Sequence, residues 1–234
     1  MKRRAFTLIE LLMVVAIIAL LVGILLPALS RSRQLGRSTQ CLGNLHSLGT
    51  AVLMYADTND GRLPAVGLGH EGSVDEGNAW INTAATDIGN EKVTRCPDDR
   101  SPHWDSPVGA TTQTRRLSYA TNYYTVGLLD GREGCNVMTR IKRPSTTIMW
   151  GELAEKGDYA AADHYHPETW FSNPKVLAAE QLTLDRHLGR ANWGFLDGHA
   201  EMLRFEDTYD INVAASSFPN IVWIHNRFDP EVAW

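Results

Sequence analysis

The chain has 234 residues and a formal net charge of −5. Without the three basic residues at positions 2–4 it has 19 basic and 27 acidic residues, a net charge of −8. Because phosphate binding needs a basic surface, this composition excludes nucleic acid as a partner. About 180 residues follow the N-terminal apolar segment, enough for one globular domain with its own core.

The N-terminal segment is apolar from Phe6 to Leu29, with Thr7 and Glu10 as its polar side chains. As a helix it would span about 36 Å, compared with about 30 Å for the hydrocarbon core of a bilayer. Residues 6–29 are therefore predicted to be the transmembrane half of a helix. A carboxylate in hydrocarbon costs a few kcal/mol unless it has a partner, which makes Glu10 a candidate functional residue. The alternative is a plain signal anchor in which Glu10 is protonated or reaches the interface.

Residues 30–60 are predicted to form an amphipathic second half of the same helix. Apolar side chains recur there at steps of three, four and seven residues: Leu35, Leu42, Leu45, Leu48, Val52 and Tyr55. Such spacing places them on one helix face. Gly61 and Pro64 predict the end of the helix, so residues 61–234 are expected to form the globular, β-rich domain.

The region after the helix is predicted to be mainly β-structure. Two stretches rich in aromatic and β-branched residues are typical of strands, namely residues 118–126 and 146–150. Residues 79–88 are predicted to be a short helix. In residues 191–205, apolar and other residues alternate along the chain on both sides of Asp197-Gly198. This pattern predicts a hairpin with a two-residue turn. The expected fold class is α+β, a long N-terminal helix packed on an antiparallel sheet.

The motif Ala5-Phe-Thr-Leu-Ile-Glu10-Leu, after a short basic head, resembles the processing site of type IV prepilins and type II secretion pseudopilins. The resemblance implies that residues 1–5 are a leader, cleaved between Ala5 and Phe6 by a prepilin peptidase that also N-methylates Phe6. Ala5 stands where the family usually has Gly. Glu10 would then pair with the terminal amine of a neighbouring subunit during assembly, and Pro27 matches the family's helix-kinking proline.

A second motif, His187 followed after nine residues by Asp197-Gly198, is similar to the His-x9-Asp-Gly signature of a large pseudopilin-like family with the same leader. Other marks of that family also occur: Cys41, Asn44-Leu45, Leu48-Gly49, Tyr55-Ala56, Cys96-Pro97, Ser118-Tyr119 and Asn122. A catalytic pairing of His187 with Asp197 is disfavoured, because an extended arm would separate them by about 30 Å. We expect His187 to close a loop and Asp197 to shape the hairpin turn.

The resemblance implies a structural subunit of a type IV pilus-like or type II secretion filament. Its implied partners are identical subunits, the prepilin peptidase, the assembly platform and inner-membrane lipid. The precursor would cross the inner membrane once with its N-terminus in the cytoplasm, and the assembled filament would be periplasmic or on the cell surface. The sequence has no Gly-rich phosphate loop, nucleophile elbow or paired acid-base motif, so no enzymatic activity is predicted.

The three cysteines, Cys41, Cys96 and Cys135, are candidates for a disulfide. An exported domain meets an oxidising compartment, so one disulfide with one remaining thiol is expected, with the pairing left open. Metal binding by these thiols is less favoured, because no Cys-x-x-Cys spacing occurs.

Two other sets of residues are weaker candidates for metal binding. His164 and His166 have a spacing that places both rings on one face of a strand, although two exposed loop histidines are the favoured interpretation. Several carboxylates could hold calcium, as the resemblance to major pseudopilins also implies: Asp185, Asp197, Glu201, Asp207 and Asp210. Apart from calcium, no cofactor is expected.

The alternative function is a membrane-anchored, extracytoplasmic module that binds a metal or a glycan. A sugar-stacking platform could come from the aromatic residues Tyr123, Tyr124, Trp150, Trp170, Trp193, Trp223 and Trp234. Core or subunit contacts are the favoured interpretation of these side chains, because aromatic residues carry much of the buried area of proteins.

Overall fold

The computed structural model describes residues 7–69, 77, 79–84, 91–109, 111–126, 135–209 and 226–230. The chain divides into two compact units, Met1–Gly36 and Arg37–Trp234. Ala5, Phe6, Asp210, Trp223 and Trp234 lie outside the described residues.

Helix α1 spans Leu8–Thr58 and is continuous through Pro27. It ends where the sequence predicted: the N–H of Gly61 donates to the carbonyl of Ala56 at 2.8 Å. Asp60 and Gly61 have positive φ angles of 55° and 74°. This left-handed ending satisfies a terminal carbonyl group of the helix.

The second half of α1 packs on the core with a face that differs in part from the predicted stripe. Leu45, Leu48 and Val52 are buried as expected, whereas Leu35 is 51% exposed. The remaining buried positions of this face are small residues: Ser38, Cys41, Gly49, Ala51 and Ala56. Small side chains allow the helix backbone to approach its neighbours closely, which a pattern of large apolar residues does not reveal.

The second unit contains a five-stranded sheet in the order β3-β1-β2-β4-β5. Its strands are β1 (Tyr119–Asn122), β2 (Ile148–Glu152), β3 (His164–Tyr165), β4 (Ala191–Phe195) and β5 (Ala200–Leu203). The β1–β2, β2–β4 and β4–β5 pairs are antiparallel, and β1–β3 is parallel. A short helix α2 (Pro174–Gln181) precedes β4. The predicted α+β layout of a long helix on a mostly antiparallel sheet is confirmed.

Two predicted strands have different bounds in the structure. The strand predicted over 118–126 ends at Asn122, and Tyr123–Val126 is a 3-10 helix. The side chain of Asn122 causes this change by accepting a hydrogen bond from the N–H of Tyr124 at 3.0 Å. The strand predicted over 146–150 begins only at Ile148, because Thr147 closes a turn by donating to the carbonyl of Arg143.

The short helix predicted over 79–88 is not regular in its described part. Residues 80–83 form turns and Ala84 is a single 3-10 position, while residues 85–90 lie outside the described residues. Asn82 and Thr83 both donate from their backbone N–H to the carbonyl of Ala79. This shared acceptor produces a turn instead of a continuing ladder.

The predicted hairpin over 191–205 is present as β4 and β5, but its loop is longer than two residues. Phe195 N–H donates to His199 O at 2.9 Å, and Gly198 N–H donates to Phe195 O at 3.0 Å. Leu196, Asp197 and Gly198 therefore form a three-residue loop, and Gly198 alone of these has a positive φ, at 90°. This arrangement is a type I turn followed by a glycine bulge.

A two-residue turn does occur in front of this hairpin, between His187 and Arg190. These two residues exchange both backbone hydrogen bonds, at 2.8 and 3.1 Å. Leu188 and Gly189 between them have φ angles of 56° and 78°, as a type I′ turn requires. A left-handed conformation is strained for Leu188, at about 1 kcal/mol. The strained turn sets the position of His187.

Candidate functional site

The first part of α1 has exposed apolar side chains. Between Leu8 and Leu29 the large hydrophobic residues are 41% to 81% exposed. By length and composition α1 is able to cross a membrane. An apolar helix surface of this extent requires lipid or protein to cover it.

Glu10 lies at the start of α1 and has a partner in its own chain. Its Oε2 accepts hydrogen bonds from the N–H of Thr7 at 2.9 Å and from Thr7 Oγ1 at 2.8 Å. The N–H of Glu10 in turn donates to Thr7 Oγ1 at 3.3 Å. This reciprocal pair is a capping box, which satisfies two otherwise unpaired N–H groups at the helix start. The carboxylate therefore has a partner in its own chain, while its other oxygen has no partner among the described residues.

Further along α1, Gly49 contacts the tip of the β4–β5 hairpin. A Cβ atom on Gly49 would lie 2.8 Å from Gly198 Cα, closer than atoms can approach. One helical turn earlier, His46 donates from Nδ1 to the carbonyl oxygen of Gly198 at 2.7 Å. Two dipeptides that carry the family resemblance, Leu48-Gly49 and Asp197-Gly198, thus meet in one backbone contact.

A covalent bond also joins α1 to the rest of this unit. Cys41 on the buried face of α1 forms a disulfide with Cys96, 55 residues later, and Cys135 is buried outside it. Closing a loop of that length stabilises the fold by about 4 kcal/mol in the chain-entropy account. Nearby, Asn44 donates from Nδ2 to Tyr119 Oη at 3.2 Å, and burial raises the pKa of this phenol.

Buried polar residues lie next to the disulfide. His187 Nε2 is 3.6 Å from Cys96 Sγ and donates to Glu152 Oε1 at 2.9 Å. The other carboxylate oxygen of Glu152 accepts the N–H of Asn192 at 3.0 Å. On the opposite side of the imidazole, His187 Nδ1 faces Asp98 Oδ2 at 3.6 Å. We call Cys41, Cys96, Glu152 and His187 the cysteine–histidine cluster.

The same region contains a fully buried ion pair. Arg115 donates to Asp99 Oδ2 from Nη2 at 2.6 Å and from Nε at 2.9 Å. The guanidinium also donates to backbone carbonyl groups, those of Leu153, Ala154 and Ala160. It thereby ties the segment before β1 to the segments after β2.

Asp99 is held in its charged form. Burial alone would raise the pKa of Asp99, but the Arg115 and Arg186 charges oppose this. Hydrogen bonds from Ser118 Oγ at 2.6 Å and from the N–H of Ser101 at 3.0 Å also lower the pKa of Asp99. The resulting pKa of Asp99 is below its usual value.

Comparison with known proteins identifies the N-terminal segment. Residues 1–26 match the model of the prokaryotic N-terminal methylation motif. The chain carries the N-terminal signature of type IV pilins and pseudopilins. No curated protein and no solved structure matches the chain.

The pilin signature and the apolar first part of α1 together fit a membrane-anchored precursor. The motif supports a pilin or pseudopilin precursor that is a prepilin peptidase substrate, and a structural subunit more than an enzyme. The proposed cleavage residues, Ala5 and Phe6, lie within the matched segment but outside the described residues. A kink at Pro27 stays a prediction.

The structure gives His187 and Asp197 different surroundings. Asp197 is exposed at the hairpin tip and binds His199 Nδ1, whereas His187 is buried against Glu152. Between these two residues the chain turns at Leu188 and Gly189, both of which have positive φ angles. That turn directs His187 into the cysteine–histidine cluster.

His164 and His166 lie close together, with ring centroids 4.9 Å apart. Each Nδ1 contacts a carboxylate: His164 that of Asp163 at 2.9 Å, and His166 that of Glu168 at 2.6 Å. The interpretation of His164 as an exposed loop residue is wrong, because it lies in β3 and is 7% exposed. His166 follows the strand and is partly buried. Metal binding by this pair stays a prediction.

The carboxylates named as calcium candidates are exposed in the described part of the chain: Asp185, Asp197, Glu201 and Asp207. One group of three or more potential ligand atoms lies within 4.8 Å among the described residues, and it is the cysteine–histidine cluster. Of the candidate aromatic residues, Trp150, Trp170 and Trp193 are fully buried. A side chain without exposed surface cannot stack on a sugar, and these three residues are core residues.

Sequence reasoning missed three parts of the site: the Thr7–Glu10 cap, Glu152, and the Asp99–Arg115 pair. The first has a local signal, because threonine followed three residues later by glutamate is the capping-box pattern. The buried charges have no such signal. Glu152 is the last residue of a strand that is otherwise apolar, a position where the sequence suggests a carboxylate at a strand end.

Proposed function

We propose that this protein is a structural subunit of a helical filament, either a type IV pilus-like filament or a type II secretion pseudopilus. The observation that carries the proposal is the methylation motif at residues 1–26, on a helix with exposed apolar side chains. Lipid covers this surface in the precursor, and identical helices cover it in the filament.

Maturation is proposed to remove residues 1–5. The prepilin peptidase cuts between Ala5 and Phe6 and methylates the amine of Phe6, which then lies about one helical turn from Glu10. Glu10 of one subunit binds the amine of its neighbour while Thr7 keeps hold of one carboxylate oxygen. Pairing of opposite charges favours assembly because both groups otherwise lie in an apolar environment.

The proposed route begins in the inner membrane, with the basic leader in the cytoplasm. The unit Arg37–Trp234 faces the other side, where an oxidising compartment supports the Cys41–Cys96 disulfide. The assembly platform then draws subunits into the filament, which is periplasmic or on the cell surface.

Intact-mass spectrometry of membrane-extracted protein tests the maturation step. The expected mass is that of a chain beginning at Phe6 with one added methyl group. The Ala5→Arg variant is a matched control, because a large charged side chain replaces the small residue at the cut, and it should keep its leader. A wild-type chain that still carries Met-Lys-Arg-Arg-Ala contradicts the proposal.

A second candidate function is a membrane-anchored module that binds a metal. The observation favouring it is the cysteine–histidine cluster, in which four potential ligand atoms lie within 4.8 Å. The two functions predict different assembly states. A filament subunit is recovered in polymers, whereas an anchored module stays in the membrane fraction.

A further inference from the structure

The cysteine–histidine cluster brings together residues from four parts of the chain. Cys41 comes from α1, Cys96 from the segment before β1, Glu152 from the end of β2 and His187 from the turn before β4. Their ligand atoms lie within 4.8 Å of one another, and all four residues are buried. Two sulfur atoms, an imidazole and a carboxylate are the ligand types of a tetrahedral zinc site.

A disulfide alone does not require the two polar members of this cluster, Glu152 and His187. Cys41–Cys96 joins the second half of α1 covalently to the segment before β1, and an apolar environment would serve this bond as well. Glu152 is nevertheless 0% exposed and His187 is 2% exposed. Burying a carboxylate and an imidazole is costly unless both have partners. Glu152 and His187 are partners of each other beside the two sulfur atoms, but His187 Nδ1 has no partner among the described residues.

One nitrogen of the His187 imidazole has no hydrogen-bond partner in the part of the chain that the structure describes. Among the described residues His187 Nδ1 is buried without a hydrogen-bond partner, and the carboxylate oxygen Asp98 Oδ2 lies 3.6 Å away. A metal ion on Nε2 would fix the proton on Nδ1, which could then donate to Asp98. Metal-binding histidines are commonly oriented by a carboxylate in this way.

The second polar ligand is also oriented by neighbouring groups. Glu152 Oε2 accepts the N–H of Asn192, and the Asn192 side chain donates to the carbonyl of Ser38 on α1 at 3.1 Å. Glu152 Oε1 lies 2.9 Å from His187 Nε2 and 3.5 Å from Arg186 Nη1. Oε1 and Nε2 therefore face the same small space beside the sulfur atoms.

We propose that reduction of the Cys41–Cys96 disulfide converts this cluster into a zinc site, with the two thiolates, His187 Nε2 and Glu152 as ligands. A dithiol or phosphine reductant supplies two electrons, and two protons convert the disulfide into two thiols. Zinc then displaces those two protons, the imidazole proton moves from Nε2 to Nδ1, and zinc takes the place of the His187–Glu152 hydrogen bond.

The exchange leaves the buried charge unchanged. A disulfide is neutral, and a zinc ion with two thiolates is also neutral. In both states Glu152 supplies one negative charge and Arg186 one positive charge nearby. The cluster thus joins the second half of α1 to the segment before β1 through a covalent bond under oxidising conditions and through a metal ion under reducing conditions.

Zinc content of the full chain in detergent tests the proposal. Protein reduced with a phosphine and incubated with zinc is expected to retain about one ion per chain after desalting, whereas the oxidised protein retains far less. Cobalt should replace zinc and give a thiolate-to-cobalt charge-transfer band. No retained zinc in the reduced protein, or a cobalt spectrum without that band, would overturn the proposal.

Variants separate ligation from folding. His187→Gln keeps the disulfide, so its fold can be checked in the oxidised state by tryptophan fluorescence, and its reduced form should lose zinc. Cys135→Ser and His199→Gln are matched controls, because both residues lie outside the cluster, and they should bind zinc as the wild type does. Asp98→Asn should weaken zinc binding by about 10- to 100-fold. Equal zinc content in His187→Gln and wild type would overturn the assignment.

Discussion

Replacing Asp99 with alanine is expected to lower the free energy of unfolding by about 3–5 kcal/mol, because it leaves the Arg115 guanidinium buried without its counter-charge. The side chains of both residues have no exposed surface. Asp99 also accepts hydrogen bonds from Ser118 and Ser101, which would lose their acceptor. Denaturant unfolding of the detergent-extracted chain, followed by tryptophan fluorescence, measures the effect.

Asp105→Ala is the matched control, since this aspartate is exposed six residues away. Its expected effect is within about 0.5 kcal/mol of zero. Similar unfolding free energies for the two variants would show that the buried pair contributes no more than a surface carboxylate.

The lowered pKa of Asp99 adds a pH dependence to this prediction. Ionised Asp99 stabilises the fold at every pH above the usual aspartate pKa of about 3.9, and the contribution is lost as the pH falls through the lowered pKa of the folded state. The wild type should therefore lose more stability than Asp99→Asn as the pH is brought below about 4. If the free energy of unfolding fell equally with pH in the two proteins, this explanation would be contradicted.

Replacing Glu10 with valine is expected to abolish or strongly reduce filament formation while leaving the unit Arg37–Trp234 stable. The change removes the charge that binds the neighbouring amine, and it also relieves a carboxylate in lipid by about 1 kcal/mol or more. Both effects favour the membrane monomer over the filament. Filament yield after shearing, compared with subunit content of the membrane, measures the result.

The capping box makes controls for Glu10 necessary. Thr7→Ala removes the cap but keeps the carboxylate, and loss of such a cap costs about 1 kcal/mol. Glu10→Gln keeps a side chain of similar shape but removes the charge. If charge pairing drives assembly, Glu10→Gln should fail to form filaments and Thr7→Ala should form them. The reverse result would assign Glu10 to helix capping alone.

The long helix and the hairpin could be predicted because their signals are local. A sustained apolar run and Gly61 with Pro64 define α1 from neighbouring residues, and alternation on both sides of Asp197-Gly198 defines the hairpin. Turn geometry was less predictable. Asp197-Gly198 suggested a two-residue turn, whereas that turn is formed by Leu188 and Gly189, where a leucine adopts a strained backbone that sequence preferences do not favour.

The contacts of the candidate site could not be predicted because they join distant parts of the chain. Asn44 and Tyr119 are 75 residues apart, and His46 and Gly198 are 152 residues apart. The close approach of Gly49 to Gly198 likewise depends on the packed structure. The sequence marked several of these positions without explaining why they occur together.

Burial of charged side chains was equally hidden from the sequence. Arg115 and Glu152 lie among polar or mixed residues, and a periodicity argument places such side chains in solvent. Their burial follows from partners contributed by other segments, such as Asp99 for Arg115.

Imaging of sheared filaments by electron cryo-microscopy, from cells that express this chain with its assembly machinery, tests the central claim most directly. We expect a helical polymer of this subunit, with the apolar first part of α1 packed at the centre against identical helices and Phe6 as the first residue. Recovery of the chain only as single copies in the membrane fraction, with filaments that lack it, would contradict the claim.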